Sequence, residues 1–175
     1  MKHDYILETD RLILRPMTPD DAEAVFAWVS DPEVNRFMPY ALYTSVDQAR
    51  EWLASLDGSS DYDFGFVRKS DGLLIGSGGI GPQGEKYWAF GYNIRRDCWN
   101  LGYTTEAARA MVNFAHSTFG ASDFIANHAI DNPASGRVMQ HIGMVFSHSG
   151  EYSTFDKTET FPCHYYTLHL GDAVP

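Results

Sequence analysis

Two segments of the sequence combine a short loop with the start of a predicted helix, and the first of them could bind an anion. It reads W-N-L-G-Y-T-T over residues 99–105 and leads into apolar residues at the spacing of an amphipathic helix. A helix N-terminus offers unpaired backbone N–H groups and the positive end of the helix dipole. Because both favour a phosphate or pyrophosphate group, this loop is a candidate site for one. An ordinary strand-to-helix connection has the same pattern.

The second segment begins at Asn132, a good N-cap, followed by Pro133 at a position that suits the first residue of a helix. Gly143 is a typical helix stop, so the pattern predicts a short helix over residues 133–142. A strand-like run at residues 124–129 precedes it. In both segments, therefore, a predicted strand leads through a polar loop into a helix.

Together the two segments resemble the acetyl-CoA site of the GNAT superfamily of N-acetyltransferases, and most closely its Rim-type branch, the ribosomal-protein N-alpha-acetyltransferases. The resemblance covers nearly the whole chain, from T-D-R-L-I-L-R-P at residues 9–16 through G-Y-T-T-E-A at 102–107 to N-P-A-S-G-R-V at 132–138. It implies an α/β fold with a single mixed, mostly antiparallel twisted sheet flanked by about four helices. In this acyl-CoA N-acyltransferase fold, two strands splay apart to admit acetyl-CoA.

The resemblance also implies which residues bind the co-substrate acetyl-CoA, with no metal involved. Loop N–H groups would bind the pyrophosphate, and the preceding strand would pair with the pantetheine arm and supply the oxyanion donor. Asn132 would hydrogen-bond the pantetheine or the acceptor, and Arg137 would approach the phosphates unless it is a solvated surface residue. The implied cofactor-binding residues are Tyr92, Asn93, Ile94, Arg96, Trp99, Asn100, Leu101, Gly102, Tyr103, Thr104, Thr105, Asn132 and Arg137.

The chain departs from the family pattern at two catalytic positions. Several relatives carry a glutamate as candidate base in the fourth strand, where this chain has Ala89. Many use a tyrosine in the last helix to protonate the leaving thiolate, and Met139 stands there instead. Ser135, which occupies the position of a substitute acid in Rim-type relatives, is therefore a catalytic candidate beside Asn132. Local capping of the helix is its competing role.

With Ala89 in the position of the family's glutamate, the base must be another group. His128, at the end of the predicted strand before Asn132, is the candidate because histidine titrates near neutrality. A packed histidine would give the same pattern. Glu85 and His164 are weaker candidates, and a water chain to solvent is a further alternative.

The activity that the resemblance implies is transfer of an acetyl group from acetyl-CoA to a primary amine by direct attack on the thioester. The acceptor would be an amine-bearing substrate, either a protein N-terminal α-amine or a small molecule. Ala89 and Met139 keep open a non-catalytic acyl-CoA-binding or regulatory module of the same fold. A different acyl donor is a remoter alternative.

The predicted elements that position these residues alternate along the chain. A strand at residues 12–14 leads to a helix that Thr18 caps and Pro32 ends. An irregular aromatic segment at residues 32–43, which in the family helps to wall the acceptor pocket, precedes a helix that Ser45 opens with a capping box. Strands are predicted at 62–68, 73–80 and 86–94, with a turn at 81–84, and later at 145–149 and 164–170, joined by a polar stretch.

One glycine motif points to a different cofactor and is set aside. G-S-G-G-I-G at residues 76–81 matches the dinucleotide-binding pattern G-x-G-x-x-G. That pattern binds a pyrophosphate only where a helix follows at once. A turn and a strand-like run follow here, so the glycines are predicted to lie at a twisted strand end.

Composition limits the class of protein and its partners. A chain of 175 residues with 44% hydrophobic content predicts one domain, residues 1–175. The net charge of −10 argues against a nucleic-acid partner and would attract cationic amines, although acidic surfaces also serve solubility. Without an apolar run of about 18 residues, no membrane span is predicted.

The remaining expectations concern location, cysteines and assembly. The N-terminus lacks an apolar signal region, so a cytoplasmic location is expected. The two cysteines, Cys98 and Cys163, are too few for a disulfide framework or a zinc site, and Cys98 is close enough to the loop to be reactive. The oligomeric state stays open, a dimer included.

Overall fold

Eight strands and five helices alternate along residues 4–171, which are the residues that the computed structural model describes. Residues 1–3 and 172–175 of the predicted domain lie outside this range. The strands are β1 (Leu7–Glu8), β2 (Leu12–Arg15), β3 (Tyr62–Arg68), β4 (Leu74–Gln83), β5 (Tyr87–Ile94), β6 (Asp123–Ala129), β7 (Val145–Ser153) and β8 (Thr160–His169). The helices are α1 (Ala22–Val29), α2 (Pro32–Asn35), α3 (Val46–Ser55), α4 (Tyr103–Phe119) and α5 (Pro133–His141).

The strands form one mixed sheet in the order β1-β2-β3-β4-β5-β6-β8-β7. All neighbouring pairs are antiparallel except β5 and β6, which run parallel and pair only at Trp88 with Phe124 and at Ala89 with Ile125. Beyond Ala89 the two strands part. The predicted mostly antiparallel sheet, split between these two strands, is confirmed.

Two apolar cores cover the two faces of the sheet, because successive strand residues point to opposite faces. Ile75 of β4 packs in a core with α4, where Met111 is fully enclosed. Its neighbour Leu74 packs in the other core, with α1 and α3 around the fully buried Trp28. Strands β3 and β4 are thereby covered by helices on both faces.

Helix ends follow the predicted capping residues. Ser45 and Gln48 form the capping box that begins α3, and Asn132 is the N-cap of α5. The C-cap of α4 is Gly120, whose φ of 70° lies in the left-handed region that glycine adopts without strain. None of the helices in the described part of the chain has the length and apolar character that a membrane crossing requires.

Two short elements were missed by the sequence patterns. Strand β1 is only two residues long and exists because it pairs with β2. Helix α2 begins at Asp31, whose carboxylate accepts a hydrogen bond from the N–H of Glu33, with Pro32 as the first helical residue. The pair Asp31-Pro32 was interpreted as a helix end, but it also begins a new helix.

Three strands are longer than predicted. The predicted turn at residues 81–84 is wrong in its first part, since β4 continues to Gln83, which pairs with Tyr87. The polar stretch predicted after residue 149 instead extends β7 and β8 into one hairpin, in which Ser153 pairs with Thr160. Strand β7 is exposed along nearly its whole length, so its sequence lacks the alternation that marks a half-buried strand. The glycine motif at residues 76–81 lies inside β4, as a strand, and not before a helix.

Candidate active site

The split between β5 and β6 leaves one edge of β5 without a neighbouring strand. The N–H of Arg95 donates to the carbonyl of Ile75, at 2.9 Å, on the β4 side of the strand. Backbone groups alternate sides along an antiparallel strand, so those of Ile94 and Tyr92 point to the opposite edge. That edge faces the split, where an extended pantetheine arm can pair with it as a further strand.

A loop of unusual backbone conformation joins β5 to α4. Asn100 and Gly102 adopt positive φ angles of 59° and 82°, and the indole of Trp99 donates to the carbonyl of Ile94 at 3.2 Å. Gly102 is the N-cap of α4, and no side chain caps the helix there. The first-turn N–H groups, from Tyr103 to Thr105, are therefore available to an anion. This arrangement fits the pyrophosphate of acetyl-CoA.

The loop is tied to the first two strands by an arginine–glutamate clasp. Arg11 donates to the Glu106 carboxylate at 2.7 Å and to the carbonyl of Leu101 at 2.9 Å, and its guanidinium lies 4.4 Å from the centre of the Tyr103 ring. Glu106 also accepts hydrogen bonds from the N–H of Arg11 and the hydroxyl of Thr9. Burial alone would raise the pKa of Glu106, but these hydrogen bonds outweigh it and lower that pKa. Sequence patterns assigned no role to this clasp.

The start of α5 meets β5 across the split. The Asn132 side chain accepts a hydrogen bond from the N–H of Ser135, at 3.5 Å, which completes the N-cap. The Tyr92 hydroxyl donates to the Ser135 carbonyl at 2.9 Å and lies 3.1 Å from the Ser135 hydroxyl. Burial raises the pKa of Tyr92 to about 12, although the contact with Ser135 lowers it in part. Tyr92 therefore stays protonated at neutral pH.

Of the candidate bases, His128 is buried beneath α5. Its Nδ1 lies 2.7 Å from the carbonyl of Ala129, so Nδ1 carries the proton in the neutral ring and Nε2 is left as the acceptor. Nε2 has no hydrogen-bond partner among residues 4–171, and it lies under Gly136, where an added Cβ would stand 2.5 Å away. His164 is the cross-strand partner of His128. Glu85 lies in the turn before β5, at the end of that strand opposite Ile94.

The two predicted phosphate-binding arginines lie in different surroundings. Arg96 forms an ion pair with Asp31, at 3.1 Å, which directs it toward the start of α2. Arg137 is exposed on α5, and no ion pair of its side chain is found in the part of the chain described. Arg137 is thus the freer of the two to reach a phosphate, and the roles of both stay predictions.

On the sheet face covered by α1 and α3, a cavity of about 220 Å³ reaches β5 beside the split. The aromatic segment and its neighbours form its wall on the helical side, and their role in an acceptor pocket stays a prediction. The lining residues are Met17, Val29, Met38, Tyr40, Tyr43 and Trp52 from the wall, and Asp63, Ser77, Gly78, Gly79, Gly91, Tyr92 and Asn93 from the sheet. A more open groove of about 1000 Å³ runs outside α4 and reaches the loop segment at Gly102 and Thr105.

Polar groups of the cavity come from residues to which the sequence patterns gave no side-chain role. The Asn93 amide donates to the Tyr40 hydroxyl at 2.6 Å, and burial raises the pKa of Tyr40, which keeps that phenol neutral. The Asn93 Oδ1 is enclosed and has no hydrogen-bond partner within residues 4–171. Asp63 contributes a carboxylate to the sheet side. Asp61, just before β3, and Asp63, within it, are two residues apart, and this spacing was the signal in the sequence for a polar strand face.

Two buried residues bear on the sequence expectations. Met139 is buried in the core, so it supplies no proton. Cys98 is also buried, and desolvation followed by the neighbouring Asp97 raises its pKa, so we expect its thiol to be unreactive in the folded protein. No group of three or more His, Cys, Asp or Glu side chains in residues 4–171 could hold a metal ion.

Comparison with known proteins places the chain in a family. The family model for the acetyltransferase (GNAT) domain matches residues 11–145. The uncharacterized N-acetyltransferase YoaA of Bacillus subtilis is 34% identical over 144 residues, which cover 79% of this chain and 81% of that protein.

Solved structures share the fold. A GNAT-family acetyltransferase from Bacillus anthracis superposes with a TM-score of 0.84 at 23% identity and covers 94% of this chain and 98% of its own. The Microcin C7 self-immunity acetyltransferase MccE, solved in complex with acetyl-CoA and AMP, gives a TM-score of 0.79 at 12% identity, over 93% of this chain and 94% of that one. The Rim-type branch is a finer assignment that these matches do not test, and it stays a prediction. The chain belongs to the GNAT acetyltransferases and is an acetyl-CoA-dependent acetyltransferase.

Proposed function

We propose that the protein transfers the acetyl group of acetyl-CoA to a primary amine by direct attack on the thioester. The observation that carries this proposal is the parting of β5 and β6 after Ala89. The gap lies between the uncapped start of α4 on one side and the cavity beside Asn93 on the other. A thioester held along β5 would therefore meet an acceptor coming from the cavity.

Binding of acetyl-CoA is assigned mainly to backbone groups. The N–H groups of the loop and of the first turn of α4, from Trp99 to Thr105, bind the pyrophosphate, and the free edge of β5 from Tyr92 to Ile94 pairs with the pantetheine arm. An N–H of that edge donates to the developing oxyanion. Asn132 hydrogen-bonds the pantetheine arm or the acceptor, and Arg137 and Arg96 approach the phosphates.

In the chemical step, the amine nitrogen bonds to the carbonyl carbon, and the carbon–sulfur bond breaks with its electron pair on sulfur. The nitrogen loses one proton, and the thiolate gains one. Ser135 is the proposed donor to the thiolate, and the Tyr92 hydroxyl, 3.1 Å away, positions the Ser135 hydroxyl. His128 accepts the amine proton through Nε2 and water, or the proton passes directly to solvent.

The acceptor is either a small amine or a protein N-terminal α-amine, and the cavity favours the former. Its volume of about 220 Å³ is smaller than that of a usual drug-sized pocket and suits a compact group. A net charge of −10 also favours cationic acceptors over anionic ones.

The experiment is calorimetric titration of acetyl-CoA, followed by thiol release against a panel of small amines and N-terminal peptides. We expect micromolar binding and thiol release with at least one class of amine. Binding without release across the panel would instead support a non-catalytic module. A folded protein that does not bind acetyl-CoA would refute the proposal.

Variants separate binding from proton transfer. Ser135→Ala should lower kcat by about 100-fold and leave the Kd for acetyl-CoA within about twofold, because general acid catalysis contributes about that much. Tyr92→Phe should lower kcat less, since it removes only the positioning hydroxyl. Ser55→Ala is the control, because Ser55 caps its own helix by donating to Trp52. An unchanged kcat in Ser135→Ala would remove Ser135 as the acid.

A further inference from the structure

Asp63 is the charged residue among those that line the proposed acceptor cavity, and the register of the sheet determines its position. Asp63 of β3 pairs with Gly79 of β4, which pairs in turn with Gly91 of β5. Directly opposed residues share one face of a sheet. A Cβ added at Gly79 would stand 2.7 Å from the Asp63 carboxylate, and one added at Gly91 would meet nothing within 4 Å. The space over the two glycines therefore adjoins the Asp63 carboxylate.

Aromatic rings line the helical side of the same cavity. Tyr40, Tyr43 and Trp52 line the same cavity, and the rings of Tyr40 and Tyr43 meet edge to face with centroids 5.9 Å apart. Asp63 is the one charged side chain among the described residues that line it, and its Oδ2 is shielded from solvent. A carboxylate of low hydration beside aromatic faces attracts an ammonium group strongly.

The two ends of the cavity favour different protonation states of an amine. The reacting amine must be uncharged, and the Asn93 Oδ1, next to the split, can accept its N–H without favouring the ammonium form. Asp63 favours the charged form instead. Strand β4 separates these residues, so β3 and β5 are two strand spacings, or about 10 Å, apart. One nitrogen cannot satisfy both ends.

We propose that the acceptor is a compact amine with a second, cationic group, such as a short aliphatic diamine. Its reacting nitrogen is oriented by Asn93 at the split, and its distal ammonium is held by Asp63 within the aromatic wall. The inference rests on the proposed amine acetylation and specifies its substrate class. The cavity of about 220 Å³ holds the volume of about seven water molecules, which a short diamine fills.

The test compares 1,4-diaminobutane and 1,5-diaminopentane with butylamine and pentylamine, which lack only the second nitrogen. In the wild-type protein, kcat/KM should be at least about tenfold higher for the diamines, as one desolvated ion pair provides. Asp63→Asn should raise KM for the diamines by about tenfold, with kcat within about threefold, and leave the monoamines unchanged.

Two further variants test whether the effect of Asp63→Asn comes from the charge in the cavity and whether the diamine occupies the space over Gly91. Asp61→Asn makes the same charge change on the same chain segment outside the cavity lining, and it should alter nothing. Gly91→Val fills open space without touching Asp63, so it should fold normally and raise the diamine KM. A preference for diamines that survives Asp63→Asn would overturn the proposal. So would an equal loss of kcat for diamines and monoamines, which would make Asp63 a base.

A readout without turnover separates this inference from the proposed function. Calorimetry of 1,4-diaminobutane with the protein and CoA, which carries no acetyl group to transfer, measures binding alone. Binding that Asp63→Asn abolishes supports the cation site even if no thiol is released, in which case only the proposed reaction fails. Thiol release with monoamines but no binding of the diamine overturns the cation site and leaves the acetyl transfer standing.

Discussion

Replacing Gly102 with alanine tests whether the conformation of the loop before α4 is what binds acetyl-CoA. Gly102 has φ 82° and ψ 0°, a left-handed conformation that costs a residue with a Cβ about 1–2 kcal/mol. The added Cβ would also lie 3.3 Å from the Nη2 of Arg11, whose guanidinium donates to the Leu101 carbonyl. Alanine restricts the unfolded chain, which offsets about 0.4–1 kcal/mol of this loss.

Gly120 provides a matched control at the other end of the same helix. Its φ is 70° and ψ 19°, and a Cβ there would meet nothing within 4 Å. Both alanine variants should lose about 1 kcal/mol of unfolding free energy, or about 2–4 °C in Tm for a chain of this size. Their effects on acetyl-CoA should differ, because only the loop at Gly102 carries the proposed phosphate donors.

The strain in Gly102→Ala can be relieved by movement of the loop, and binding must then restore its geometry. A cost of about 1.4 kcal/mol raises the Kd for acetyl-CoA about tenfold, whereas Gly120→Ala should stay within about twofold. Titration calorimetry with thermal unfolding of the three proteins measures both quantities. Equal affinity in all three, with the expected fall in Tm, would refute the loop as the binding element. Gly102→Asn, which tolerates the left-handed region, should recover part of the affinity.

The remaining predictions concern packing, charge and cysteine access. Burial opposes the shift, but hydrogen bonds from Thr9 and Arg11 lower the pKa of Glu106 from 4.5, so its stabilising effect is full above about pH 4.5 and is lost as the pH falls through the folded-state pKa. Glu106→Gln should remove this dependence in acid unfolding curves, and an unchanged acid limb would contradict it. Gly136→Ala should cost about 1–3 kcal/mol in urea unfolding, because the Cβ would stand 2.5 Å from Nε2 of His128, and His128→Ala in the same chain should restore part of that loss. Cys98 and Cys163 should not react with a thiol reagent until the protein unfolds, since both are buried; stoichiometric labelling of the native protein would contradict this expectation.

Local patterns predicted the elements near the cofactor well. Helices α3 and α5 begin at the predicted caps, and β3 and the start of β5 lie within a residue of the predictions, because caps, turns and strand alternation depend on near neighbours in the chain. The helix at Pro32–Asn35 was missed because Asp31-Pro32 ends one helix and begins the next. Strand β7 was predicted too short, since its exposed residues show no periodicity.

The residues of the candidate site and the contacts between them differed in how far they could be predicted from the sequence. The proposed acetyl-CoA side consists of two contiguous segments, residues 99–105 and 132–137, whose spacing resembles a known family, so its candidate residues could be named in advance. The contact between Tyr92 and Ser135 could not be predicted from the sequence, because 43 positions separate the two residues. The clasp between Arg11 and Glu106 could not be predicted either, because the two residues are 95 positions apart.

By itself, the sequence determined the family and the order of most elements and indicated the candidate cofactor loop, because each depends on residues close together in the chain. Only the tertiary structure determined which residues line the proposed acceptor cavity. The register of β3, β4 and β5 sets Asp63 beside Gly79 and Gly91, and the segment before α3 brings Tyr40 to Asn93. A shift of one residue in that register would turn the Asp63 carboxylate to the opposite face of the sheet. The chemistry of the acceptor cavity therefore depends on strand pairing, which no local pattern specifies.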